Sequence, residues 1–188
     1  MGIVSILKKM LIGRAFTTER GRILMFGKED WTLYPSKALT HFFQTIGEKF
    51  GEEYLYKLSK KNGRFNGEEM TAAMGTKPRG GWVTQTTITS LLDFLGYGKL
   101  EFLRSEIDTK TGSHHILFHT SENPMIEHAI KMYGKKQMLC VYWRGLLSGH
   151  GEVELGGKNL NLKENECMVN GARYCEYESK WAADSEEK

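Results

Sequence analysis

Apolar residues recur at helical spacing in the first half of the chain and gather into strand-length runs in the second. Leu39, Phe42, Phe43, Ile46, Phe50, Tyr54 and Leu58 fall on one helical stripe, with Ser36 placed to cap its start. A long helix is therefore expected over residues 36–62, with Asn62-Gly63 as its stop signal. Ile88, Leu91, Leu92 and Leu95 predict a second helix over residues 82–95, closed by Gly96. Between them, residues 66–81 carry Gly67, Gly75, Pro78, Gly80 and Gly81 without strand alternation. That composition predicts a connector or a mobile flap, reaching from Gly67 to Gly81. It lacks the spacing of a phosphate-cradling loop. Near the N-terminus, Ile3, Ile6, Leu7, Met10 and Leu11 share one side of a short amphipathic segment over residues 2–11, which reads as a packing arm or dimer contact before a membrane-surface contact. Residues 22–26 read as a strand.

In the second half, residues 99–107 and 114–119 flank Asp108-Thr109-Lys110-Thr111-Gly112, the signature of a hairpin. Asn123-Pro124 predicts a helix start with proline at its first position. Residues 137–147 predict a further helix, ended by Gly149 and Gly151. Residues 152–155, 160–167 and 173–178 read as closing strands, and residues 180–188 as a polar tail. The order predicts an α+β fold, an antiparallel sheet packed with helices. The expected division is an N-terminal helical extension over residues 1–19, one ligand-binding domain over residues 20–179, and the tail.

Composition narrows the function. With 188 residues, 40% apolar and 26% charged, the chain is of ordinary globular character and can bury a core without disulfides. A formal charge of +3, with scattered basic residues, argues against direct nucleic-acid binding. Lys57, Lys60 and Lys61 lie where a helix C-terminus would favour them anyway. No apolar run is long enough to span a membrane. With no secretion signal visible, a cytoplasmic location is expected. The three cysteines cannot all pair with one another, which leaves buried thiols or a metal site.

Cys167 and Cys175 flank the turn signal Asn170-Gly171. A two-residue turn would set residue 167 against 174 and send the two thiols to opposite faces. An odd-numbered loop with glycine in the left-handed region would set 167 against 175, with both thiols on one face. Cys140 would approach from the preceding helix. Glu164 and Glu166 are the nearby carboxylates, and both point away from Cys167 on a regular strand. A bulge or twist is needed to bring either one round.

The segment Trp143-Arg144-Gly145-Leu146-Leu147-Ser148-Gly149, through Glu164-Asn165-Glu166-Cys167 to Gly171-Ala172-Arg173-Tyr174-Cys175-Glu176-Tyr177, resembles the vinyl-4-reductase (V4R) domain family. That family includes archaeal proteins described as predicted hydrocarbon-binding proteins and the sensor domains of phenol-responsive regulators. Its fold resembles haem nitric-oxide-binding domains and TRAPP vesicle-tethering subunits. The specific part is Cys-x7-Cys around a glycine, a glutamate three residues before the first cysteine, and a helix cysteine upstream. The resemblance covers about residues 20–178, with its motifs confined to the part after Cys140. It implies a structural zinc ion held by Cys140, Glu164, Cys167 and Cys175, with Glu166 the alternative fourth ligand. Three thiolates and a carboxylate fill a tetrahedral shell and leave no place for a catalytic water.

The resemblance also implies a small apolar or aromatic ligand. Candidate pocket residues are Phe43, Phe50, Trp82, Leu92, Tyr142 and Trp143, with Tyr97 nearby. A homodimer and a downstream protein partner are expected, since no ATPase or DNA-reading element is visible in the chain. His114, His115 and His119 lie on one strand, and His115 and His119, which share a side of it, read as a half-exposed polar face. His41 reads as a satisfied helix-edge residue, and His150 as a cap or ligand contact. No nucleophile–base pair appears, and Leu147-Ser148-Gly149-His150-Gly151 is not a nucleophile elbow. A binding module is therefore favoured over an enzyme. The alternatives are a role in reducing a tetrapyrrole vinyl group, which the family's name suggests, and an interaction scaffold like the tethering subunits.

Overall fold

The computed structural model describes residues 16–19, 22–25, 29–32, 34–74, 85–86, 89–90, 92–93 and 96–182. Three short strands, β1 (Phe16–Glu19), β2 (Arg22–Met25) and β3 (Glu29–Trp31), form an antiparallel sheet in chain order. Helices α1 (Ser36–Phe50) and α2 (Glu52–Met74) follow. Then come β4 (Lys99–Ile107), β5 (His114–Ser121), α3 (Pro124–Tyr133), α4 (Leu139–His150), β6 (Lys163–Glu166) and β7 (Cys175–Trp181). The last four strands make one antiparallel sheet in the order β4-β5-β7-β6. The fold is α+β, as expected.

Alternation places the core. His114, Ile116, Phe118 and Thr120 of β5 and Cys175, Tyr177 and Ser179 of β7 are buried on one sheet face. Helix α4 lies over that face and buries Leu139, Cys140, Tyr142, Trp143, Leu146 and Leu147. His114 is thus a core residue, on the side of the strand opposite His115 and His119. It bonds to Ser179 Oγ at 2.9 Å and to the Gly112 carbonyl at 3.1 Å. His115 and His119 do face outward and pair with Glu178 and Glu176, each at 2.8 Å.

The expected helix over residues 36–62 is two helices. Gly51, with φ of 88°, ends α1, and its N–H bonds back to the Gly47 carbonyl. Ser36 opens the first turn of α1 while Pro35 holds the cap position, without a side-chain cap. Asn62-Gly63 stops nothing, because α2 runs on to Met74. Gly63 serves a helix crossing. A Cβ there would overlap the Leu146 carbonyl, one at Gly145 would overlap Ser59 Oγ, and one at Gly149 would overlap the Lys60 carbonyl. The three glycines let α2 and α4 approach backbone to backbone, at a separation no other residue permits.

Residues 66–74 of the expected flap are therefore helix, and the rest of it, residues 75–81, lies outside the described residues. So do the N-terminal segment over residues 2–11 and Trp82. Within the expected helix over residues 82–95, residues 85–86, 89–90 and 92–93 are helical. Gly96 (φ 77°) follows, its N–H bonded to the Asp93 carbonyl.

The strand expected over residues 152–155 is a π-helical turn, Gly151–Leu155, that continues α4. Glu152 anchors it to α2 through Lys60 at 2.8 Å and Arg64 at 3.5 Å. The last strands are shifted from their expected limits. Only Lys163–Glu166 pairs on the β6 side, while β7 extends to Trp181, into the expected polar tail.

Candidate metal centre and apolar recess

Cys140 sits in the first turn of α4, and polar side chains fix that turn. Gln137 Oε1 accepts from the N–H groups of Leu139 and Cys140 at 2.7 and 3.1 Å. Buried Gln44, from α1, accepts from Met138 N–H at 2.8 Å and donates to the Lys136 carbonyl at 3.0 Å. The other two thiols come from the β6–β7 connection. After Cys167 the chain makes a single 3₁₀ turn, Met168–Asn170, and reverses at Gly171 with φ of 93°. Asn170 and Ala172 N–H groups both bond to the Cys167 carbonyl. Glu166 pairs with Glu176, so the continued register sets Cys167 against Cys175. The odd register, not the two-residue turn, is the one formed.

The pairing shifts between Glu164 and Glu166. Of the bulge or twist that the strand parity called for, a bulge is present, and it turns Glu164 inward. Glu164 is partly buried and Glu166 exposed. Among the described residues, one group of metal-ligating side chains forms: Cys140, Glu164, Cys167 and Cys175, with one ligand atom from each, all within 4.8 Å of one another. Cys140 Sγ and Cys167 Sγ are 3.7 Å apart. The four side chains could hold a metal ion.

Without an ion these donors perturb one another's protonation. The Cys175 thiol is pulled down to about 4 by hydrogen bonds from Cys140 and then Cys167, helped by Met168 N–H, which donates to its Sγ at 3.5 Å. The Cys140 thiol is driven far up by its bonds with Cys167 and Cys175 and by burial. Burial, followed by the neighbouring Cys167, raises Glu164 to about 7. A divalent cation at these donors would favour their deprotonated forms. The Met168 N–H donor was not anticipated. The glycine-closed turn after Cys167 was the signal for it, because such turns aim successive N–H groups at one point.

A second feature lies between α4, its π turn and the sheet. Leu100, Phe102, Ile116, Phe118, Leu147 and Leu162 line an apolar recess closed by Leu155 and Leu160, with an internal space of about 30 Å³. Its only polar side chains are His150 and Glu154, joined by a 3.2 Å contact from Nδ1 to Oε1. Glu154 is buried.

The expected pocket residues stand elsewhere. Phe43 stacks on Tyr142 with centroids 3.5 Å apart, and Trp143 is buried 5.4 Å from the Tyr97 ring. Leu92 packs against the core. Phe50 is 53% exposed and leans on Tyr54. None of these lines the recess. The inward alternation of β5, which carries Ile116 and Phe118, was the available signal for its floor. His150, considered as a cap or ligand contact, does border it. His41 bonds to Tyr133 Oη at 2.6 Å.

No protein-family model matches the chain, and no curated protein does. Solved structures do. The phenol-responsive sensory domain of the transcription activator PoxR, with phenol, aligns over 99% of this chain and 96% of its own, with a TM-score of 0.73 at 16% identity. A trafficking protein particle complex subunit 3 from Naegleria fowleri, covalently bound to palmitic acid, aligns over 77% of this chain and 93% of its own, with a TM-score of 0.53 at 13% identity. A vinyl-4-reductase family protein from Methanocaldococcus jannaschii covers 81% of this chain and 85% of its own, with a TM-score of 0.49 at 14% identity. The fold expected from the resemblance, shared with phenol sensors and vesicle-tethering subunits, is the fold found.

Proposed function

We propose that this chain is a small-molecule sensory domain whose sheet and α4 are clasped by one structural zinc ion. The observation that carries the reading is the convergence of all three cysteines and Glu164 from two separate parts of the chain. A zinc–sulfur bond of about 2.3 Å in tetrahedral geometry spaces sulfurs about 3.75 Å apart. The 3.7 Å between Cys140 and Cys167 suits that geometry. No zinc ligand in this reading is left for chemistry, so the ion fastens and does not catalyse.

The ligand in this reading is a small apolar or aromatic molecule, in line with the phenol bound by the structural neighbour. The recess between α4 and the sheet is its site, because the lining is apolar and one polar pair borders it. An internal space of about 30 Å³ holds a water or two, so an aromatic guest has to displace the π turn or the side chains around it. That turn is tied to α2 through Glu152, so its displacement would reach the outer helices. A homodimer or a downstream protein partner would receive the signal there.

Elemental analysis of purified protein should give one zinc per chain, and calorimetric titration with phenol and with toluene should show saturable binding. Absence of zinc from protein purified without chelator sinks the first half of the reading. Absence of binding by both compounds sinks the second. A scaffold reading draws on the exposed Phe42, Phe50, Tyr54, Leu58 and Phe65 of α1 and α2 and on the nearly filled recess. It predicts self-association without ligand binding.

A further inference from the structure

Tyr177 stands directly opposite Glu164 in the β6–β7 ladder and is fully buried. Its hydroxyl has no hydrogen-bond partner among the described residues, and neither does Glu164 Oε1; both atoms are buried. Two unsatisfied polar atoms facing one another across a ladder are costly unless one serves the other. Arg144 lies one helical turn after Cys140 on α4, and its buried Nε also lacks a hydrogen-bond partner among the described residues. Three thiolates and a carboxylate around a dication leave a net negative site. A buried negative site needs a cation and hydrogen-bond donors around it.

We propose that Tyr177 is a positioning residue for the clasp: its hydroxyl donates to the Glu164 oxygen turned away from the ion, with Arg144 as counter-charge, so that Glu164 binds through one oxygen in a fixed orientation. This rests on the zinc reading above. It also explains why the site tolerates a carboxylate where a fourth thiolate would be the stronger ligand. Met168 N–H serves Cys175 on the other side of the site in the same way.

The test is zinc affinity by chelator competition on the full chain. Y177F should still bind one zinc but about 10–100-fold more weakly. In the Co²⁺-loaded protein, the thiolate charge-transfer bands should persist while the ligand-field bands shift. A second pair of variants separates positioning from packing. E164C replaces the carboxylate with a thiolate that has no second oxygen to hold, so Y177F added to E164C should cost no further affinity. Equal zinc affinity of Y177F and wild type overturns the proposal, and so does an undiminished Y177F effect in the E164C background. If wild type itself takes up no zinc, it is the underlying reading that fails.

Discussion

Stripping the metal should cost this fold a predictable part of its stability. Cys140 and Cys167 are 27 positions apart, one on a helix and one at the end of a strand. A tether between them closes a loop of that length in the unfolded chain, which by the chain-entropy relation stabilises the folded state by about 3.5 kcal/mol. For a domain of this size that corresponds to about 7–14 °C in Tm. The structure gives no reason for a total collapse. Most of the core, including Ile116, Phe118, Leu146, Leu147 and Leu160, is apolar packing that needs no ion and should stay packed. The assay is thermal melting by circular dichroism of zinc-loaded and chelator-treated protein, with metal content checked by elemental analysis. C140S should melt near the chelated wild type and should no longer respond to chelator. A verified metal-free protein melting within about 2 °C of the loaded form would refute the tether and the loop-closure reasoning together.

The gap between loaded and stripped protein should also depend on pH. Glu164 is raised to about 7 in the metal-free fold from an ordinary 4.5, so its ionisation penalises the stripped fold as pH rises through that interval. Melting temperatures from pH 5 to 8 should therefore diverge, and parallel curves would count against the assignment of Glu164. Glu178 behaves oppositely. The His115 hydrogen bond, followed by that of Asn165, lowers its carboxyl below 4.5. Its contribution is complete above pH 4.5 and is lost as pH falls through the folded value, so H115A should be less stable than wild type at neutral pH and converge with it in acid. N123A should cost about 1–2 kcal/mol in urea unfolding, because the buried Asn123 side chain accepts from Met125 and Ile126 N–H at the start of α3. G149A should destabilise by about 2–3 kcal/mol although alanine is the better helix former, because the added Cβ meets backbone of α2 that cannot yield. A neutral or stabilising G149A would mean the crossing is looser than the structure has it.

The meeting of Cys167 and Cys175 was legible in the sequence because its constraints are local. Both flank one glycine-closed turn, and the need for a bulge or twist near Glu164 follows from strand parity, whereas Cys140 and the choice of Glu164 rested on the family resemblance. The α3 cap was legible for the same reason: Asn123-Pro124 is a two-residue signal. The misreadings have a common physical origin. Asn62-Gly63 and Gly149 have the composition of helix ends, and nothing local distinguishes a glycine that ends a helix from one that admits a neighbouring backbone. Only the pairing of α2 with α4, residues roughly eighty positions apart, decides it. The strand expected over residues 152–155 failed similarly, since the Lys60 and Arg64 contacts that help hold Glu152 in a π turn come from α2.

The proposed recess does not coincide with the residues first considered for a pocket, for a similar reason at larger scale. Aromatic residues draw attention, but Phe43, Tyr142 and Trp143 are consumed in ring-to-ring packing, while Phe50 looks outward. The recess is built from leucines and two sheet phenylalanines supplied by β4, β5, α4 and the segment leading to β6. Four elements must first be placed by the α2–α4 crossing and by the sheet before those side chains face one another. The proposed clasp would bear on that placement directly. It would fasten the first turn of α4 to the β6–β7 reversal, and the recess opens between the far end of that helix and the same sheet. In that reading, a ligand that moves the π turn would push against a helix held at its other end, so α4 would tilt about Cys140, and α2, packed along it through Gly63, would be the first element outside the core to feel it.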